Sequence, residues 1–273
     1  MKLFGYTVSK EKLHHHPDFD SLAEPFYHPG IDVGFLVLHG IGGTPATVRI
    51  VSDRLAEAGY TVYAPTLPGH GTTVADLNKS SWKDWLSTAE GGYGKLLNEG
   101  CRKIIPVGLS LGAILSAYLA SERECAGAIL LSPPFRMRPF LRFSRHISFL
   151  VPFVSSDPER VKHVRESSPY GQMYEGFSTS KLNDLQILIR KTNERLPKIK
   201  CPVFAIWAEQ DNKVDPKSKE ILKRGLISAP LTEYTLEGSP HGSTYGPKRD
   251  QAAETVMCCV KHILEGEPNP CRP

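Results

Sequence analysis

A serine hydroxyl is a weak nucleophile until a neighbouring base takes its proton, and that base works well only when a carboxylate holds it in place. Ser110 stands where such help is expected. It is the centre of Gly108-Leu109-Ser110-Leu111-Gly112, which follows the strand-like Ile104-Ile105-Pro106-Val107 and opens a helical pattern over residues 111–121. A sharp strand-to-helix turn lifts one side chain clear of a sheet, and glycines two positions away on either side leave room for it. The helix start beside Ser110 would also aim backbone N–H groups and a positive dipole end at developing negative charge. The same pentapeptide arises by coincidence in glycine-rich loops. The strand before it and the helix after it set Ser110 apart from that reading.

In such an arrangement the acid and then the base follow the serine, each past the end of a later strand. Asp211 lies in Glu209-Gln210-Asp211-Asn212, just beyond the apolar run Val203-Phe204-Ala205-Ile206-Trp207. Glu209 and Asp215 are rivals in the same loop, and a solvated loop acid is the simpler role for each. His241, in Gly238-Ser239-Pro240-His241-Gly242, falls between a strand-like run at 231–236 and a closing helical pattern at 250–264. His262 sits inside that helix, whereas His146 and His163 precede the acid and break the order. An acyl-transfer site also needs two backbone donors for an oxyanion. The Leu111 N–H is one, and the glycine-rich loop His39-Gly40-Ile41-Gly42-Gly43 offers the Ile41 N–H as the other. As a phosphate cradle this loop lacks both the P-loop lysine and the dinucleotide glycine spacing.

These loops need a scaffold, and the chain supplies one in alternating pieces. Apolar runs at 34–38, 60–64, 104–107, 126–131, 203–207 and 231–236 read as strands. Helical patterns at 46–59, 82–93, 111–121 and 250–264 fall between or after them. Strand–helix alternation predicts an α/β fold with a mostly parallel central sheet flanked by helices. Residues 133–200 break the rhythm with no strand signal and one helical pattern marked by Leu182, Leu185, Ile189, Thr192 and Leu196. An insertion there sits over the carboxyl edge of the sheet, where ligands bind. It reads as a small cap within one domain spanning 1–273.

Composition narrows the classes. The chain has 273 residues, 40% hydrophobic and 23% charged, the profile of an ordinary globular domain rather than a disordered or fibrous one. No apolar stretch reaches membrane-spanning length and residues 1–17 carry no signal-peptide core, so a cytoplasmic location is expected. The net charge of +4 is too mild to suggest nucleic acid. Six cysteines without zinc spacing read as reduced thiols, no metal or cofactor site emerges, and His14-His15-His16 reads as a solvated loop.

The motifs together resemble the α/β-hydrolase superfamily. The resemblance is carried by Leu36-Val37-Leu38-His39-Gly40-Ile41-Gly42-Gly43, by Leu67-Pro68-Gly69-His70-Gly71 after the strand at 60–64, and by the pentapeptide around Ser110. Small bacterial carboxylesterases and monoacylglycerol lipases look most similar, over about residues 23–264 including the cap. The resemblance implies ester hydrolysis without a cofactor through an acyl-serine intermediate. It also implies Ser110, Asp211 and His241 as a triad, with Ile41 and Leu111 as oxyanion donors. Two positions depart from the family pattern: Ala208 stands where the acid loop has glycine, and Pro240 precedes the base.

The cap bears on the substrate. Between positions 135 and 154 aromatic and aliphatic residues from Met137 and Phe140 to Phe153 interleave with Arg136, Arg138, Arg142 and Arg145. Residues 133–200 hold 13 Lys and Arg against 6 Asp and Glu, a net of +7 over a remainder of −3. The run reads as an apolar acyl pocket under a basic rim, suited to short- to medium-chain acyl esters and to transient contact with a lipid surface. It reads equally as an amphipathic cap with core-facing aromatics and solvated arginines. A thioester, amide or carbon–carbon substrate on the same triad, or a non-catalytic binding role, are the alternatives to an esterase.

Overall fold

The apolar runs of the sequence become the middle of a seven-stranded sheet in the computed structural model. The structure describes residues 2–3, 6–9, 19–139, 153–156 and 168–266. In chain order the strands are β1 (Lys2–Leu3), β2 (Tyr6–Ser9), β3 (Phe26–His28), β4 (Ile31–Leu38), β5 (Tyr60–Ala64), β6 (Lys103–Leu109), β7 (Ala128–Leu131), β8 (Phe153–Ser156), β9 (Gly176–Ser178), β10 (Val203–Ala208) and β11 (Leu231–Leu236). The helices are α1 (Arg49–Glu57), α2 (Val74–Lys79), α3 (Trp82–Asn98), α4 (Leu111–Glu122), α5 (Thr179–Asn193), α6 (Lys217–Gly225) and α7 (Arg249–Glu265).

The large sheet has the order β11-β10-β7-β6-β4-β5-β3. All neighbours in it are parallel except β3, which closes one edge antiparallel to β5. Its inner strands are buried on both faces, which is why they read as unbroken apolar runs. Side chains of a strand alternate between faces, and the core divides along that alternation. Leu36 and Leu38 of β4 join the cluster under α3, α4 and α5, whereas Phe35 and Val37 join the cluster under α1 and α7. Val203, Ala205 and Trp207 of β10 face the first cluster; Phe204 and Ile206 face the second.

The strands and helices of the sequence reading are present with boundaries moved by a few residues. Its helix at 46–59 divides into a 3₁₀ turn, Pro45–Val48, and α1. The helix carrying Leu182 ends at Asn193, and Leu196 opens a separate 3₁₀ turn with Pro197.

A larger correction concerns residues 133–200. They contain β8 and β9, which build a second, antiparallel sheet in the order β1-β2-β8-β9. The beginning of the chain, outside any motif, thus supplies two of its strands. Among the described residues no helix is long and apolar enough to cross a membrane. The cysteines are also not all reduced: Cys101, Cys125, Cys201 and Cys259 are free, but Cys258 is disulfide-bonded.

Candidate active site

Three loops at the carboxyl ends of parallel strands meet above the sheet. The first is the turn from β6 into α4. Ser110 there has φ 55° and ψ −111°, left-handed territory that a side-chain-bearing residue occupies only under constraint. Its N–H donates to the Leu131 carbonyl at 2.9 Å, and its carbonyl accepts from Ala113 and Ile114 in the first turn of α4. Glycine is required on both sides by close backbone approach. A Cβ on Gly108 would lie 2.1 Å from the Gly112 carbonyl carbon, and one on Gly112 would lie 2.0 Å from the Leu38 carbonyl oxygen.

The second loop follows β10 and the third follows β11. Asp211 Oδ2 lies 2.7 Å from His241 Nδ1, and His241 Nε2 lies 3.0 Å from Ser110 Oγ. The sequence-expected acid, base and serine therefore stand in one hydrogen-bonded series. The other Asp211 oxygen, Oδ1, accepts from the backbone N–H groups of Lys213 (2.8 Å) and Val214 (3.0 Å). Burial is the largest single influence on this carboxyl and pushes its pKa up. The His241 ring beside it and the two backbone N–H donors outweigh burial, so the net pKa lies below the ordinary carboxylate value. Asp211 is thus held as a carboxylate facing the imidazole. The stabilisation this gives the fold is complete above the ordinary carboxylate pKa and is lost as pH falls through the lower native one.

The rivals are engaged elsewhere. Glu209 Oε2 accepts from the Gly238 N–H at 2.7 Å, tying the acid loop to the base loop from outside. Asp215 Oδ1 accepts from the Lys217 N–H at 3.0 Å, and Oδ2 faces Arg136. His262, on α7, packs edge-on against Phe204 of β10. His146, His163 and His14-His15-His16 lie outside the described residues.

The glycine-rich loop after β4 runs beside Ser110: a Cβ on Gly40 would stand 3.5 Å from the Ser110 Cβ. Its shape depends on His39, which is fully buried. His39 Nδ1 lies 2.9 Å from the Gly40 carbonyl, and Nε2 accepts from the Leu67 N–H at 3.0 Å, so the proton sits on Nδ1. The Gly43 N–H donates to the same Gly40 carbonyl at 3.1 Å. Pinned by two donors, this carbonyl turns the far end of its planar peptide, the Ile41 N–H, the opposite way. From the other side the Tyr174 N–H holds the Gly42 carbonyl at 2.7 Å.

Burial drives the His39 pKa down to about 4, with the Gly40 contact opposing it. The neutral ring's contribution to stability is complete above about 6.5 and is lost as pH falls from there through about 4. In an NMR titration the His39 ring protons should shift near pH 4. A midpoint near 6.5 would remove this account of the loop.

Among the described residues no group of three or more His, Cys, Asp or Glu is arranged to hold a metal ion.

A model of the alpha/beta hydrolase family matches residues 35–255. The chain belongs to that family. The hydrolase is 32% identical over 225 residues to the thermostable monoacylglycerol lipase of Bacillus sp. (strain H-257), covering 81% of this chain and 88% of the relative. It is 27% identical over 240 residues to a carboxylesterase of Bacillus subtilis (strain 168), covering 85% and 94%. Among solved structures it is similar to one from work on LipS and LipT, two metagenome-derived lipolytic enzymes. The TM-score is 0.77 at 25% identity, over 89% of this chain and 99% of that one. The Paleococcus ferrophilus monoacylglycerol lipase shares the fold at 16% identity and TM-score 0.67, over 89% and 98%.

Some neighbours of the hydrolase's site escaped the sequence. Ser132, with φ 45°, closes β7 next to the serine turn, and its Oγ donates to the His241 carbonyl at 3.3 Å. Nothing in its flanks marks it. Arg136 and Arg138, read as part of a basic outer rim, face the acid loop instead. Phe135 and Met137 are buried in the core as one of the two cap readings has it, and the aromatics from Phe140 to Phe149 lie outside the described residues.

Proposed function

We propose that the hydrolase cleaves carboxylic esters with short- to medium-chain acyl groups, monoacylglycerols included, through an acyl-serine intermediate. The observation that carries this reading is the unbroken series Ser110 Oγ, His241, Asp211, set at a strained turn beside the glycine-rich loop after β4. The named activities of the similar Bacillus proteins support the substrate class.

The chemistry follows from the atoms. Ser110 Oγ attacks the ester carbonyl while His241 Nε2 takes its proton. Asp211 keeps the Nδ1 proton in place and stabilises the imidazolium that forms. The carbonyl oxygen becomes an oxyanion, and the N–H groups of Leu111 and Ile41 are its donors, the first at the start of α4 and the second turned by the pinned Gly40 carbonyl. The intermediate collapses, the imidazolium proton passes to the departing alkoxide, and the alcohol leaves. Water then attacks the acyl-serine, with His241 taking its proton. As the second intermediate collapses, the imidazolium proton passes to Ser110 Oγ, which leaves as the hydroxyl and releases the carboxylic acid.

The segment 133–200 acts as the cap in this reading, with its apolar content receiving the acyl chain and its basic residues meeting a lipid surface transiently. A fluorophosphonate probe tests the nucleophile directly, because it loses fluoride and stays bonded to an activated serine Oγ. Labelling of the native protein and none of Ser110→Ala is expected. Equal labelling of both refutes Ser110 as nucleophile. An acyl-length series that includes monoacylglycerols then tests the substrate class.

A further inference from the structure

The loop that carries Asp211 has little to hold it from within. Asp211 caps its own loop through the N–H groups of Lys213 and Val214, and the next fixed point is the start of α6. Its first residues are tied to the base loop, Glu209 through the Gly238 N–H and the Gln210 N–H through the Ser239 carbonyl at 2.9 Å. Past Asp211 the long-range contacts come from residues 136–138, at the beginning of the inserted segment and more than 70 positions away in sequence. Met137 forms an antiparallel bridge with Val214, and both are buried. The Asp215 N–H donates to the Arg136 carbonyl at 3.0 Å, while the Arg136 N–H donates to Ser218 Oγ at 2.9 Å. Arg136 Nε lies 3.0 Å from Asp215 Oδ2, an ion pair whose carboxylate is nearly shielded from solvent. Arg138 Nη2 reaches the backbone carbonyl of Asp211 itself at 2.9 Å.

Val214 is the hinge of this arrangement. Its N–H supports the Asp211 carboxylate while the same residue is bridged to Met137. A displacement of residues 136–138 therefore moves one of the two donors that aim the carboxylate at His241. We infer that residues 136–138 are a splint for the acid loop, and that Arg136 and Asp215 are a positioning pair acting through Asp211. This rests on the reading of Asp211 as the acid that orients His241. The pair touches no reacting atom. Its effect is on geometry, and misplacing a catalytic group by about 1 Å can cost as much as a hundredfold in rate.

Asp215→Asn and Arg136→Gln should each lower kcat on a simple aryl ester by about tenfold or more, with KM held within about twofold, the pattern of lost transition-state rather than ground-state stabilisation. Arg136→Lys, which keeps the cation, should recover much of the loss. Exposed Arg138→Gln should show a smaller loss in the same sense, in a variant whose folding is not at stake. In an Asp211→Asn background none of these substitutions should lower the residual kcat further, because the group they position is already gone. Unchanged kcat in Asp215→Asn and Arg136→Gln overturns the inference, as does an undiminished loss in the Asp211→Asn background. Wild-type kcat in Asp211→Asn alone would instead remove the acid assignment, and the two failures are told apart by that one variant.

Discussion

Asp211→Asn is expected to lower kcat by about 10,000-fold while leaving the fold and KM almost untouched. The substitution is isosteric, so the backbone N–H groups of Lys213 and Val214 keep an oxygen acceptor. The side facing His241 changes character. A carboxylate oxygen 2.7 Å from Nδ1 demands a proton on that nitrogen, whereas an amide NH₂ in the same place donates to it. The ring then carries its proton on Nε2, 3.0 Å from Ser110 Oγ, and cannot take another. Glu209→Gln should stay near wild type, since its amide oxygen can still accept from Gly238. Asp215→Asn should fall between the two. Steady-state kinetics on one ester rank the three, and a ranking with Glu209 or Asp215 first would show that the acid has been misassigned.

Gly112→Ala should cost the fold rather than the chemistry. A methyl group at this position would stand 2.0 Å from the Leu38 carbonyl oxygen and 2.5 Å from its carbon, both backbone atoms of a central strand. Strand β4 is paired on both sides by β5 and β6, so it has nowhere to retreat. Destabilisation above about 4 kcal/mol is expected, seen as lost soluble yield or a collapsed Tm. Gly91→Ala is the control. It lies exposed on α3 with nothing within 4 Å of the added carbon, and it should gain about 0.5–1 kcal/mol from helix propensity. Equal Tm values for the two variants would mean that α4 does not press this closely on the end of β4.

The contrast between these positions shows what the sequence can express. Ser110, Asp211 and His241, which the structure brings together, could be singled out because each follows a strand-like run and is bracketed by turn-forming residues, a local pattern. The inner strands were legible because burial on both faces writes itself as an unbroken apolar run. Helix α6 was not: among its nine residues only Ile221 and Leu222 are strongly apolar, and its one-sidedness is written mostly in charged residues. Strands β8 and β9 are short, and their pairing is a property of backbone rather than of side-chain pattern. The roles of Arg136 and Arg138 depend on partners more than 70 positions away, and in sequence an arginine near a phenylalanine looks the same whether it meets solvent or a carboxylate.

The pairing of β2 with β8 joins Tyr6 to Ser156, residues 150 positions apart. Closing so long a stretch of chain costs only modestly more entropy than closing a short one, but contacts this distant in sequence form slowly. During synthesis β2 leaves the ribosome ahead of β3 to β7, while its partner emerges only after they have been made. The central sheet can assemble from strands already present. The small sheet has to wait, so a strand made ahead of the central sheet finds its place after it.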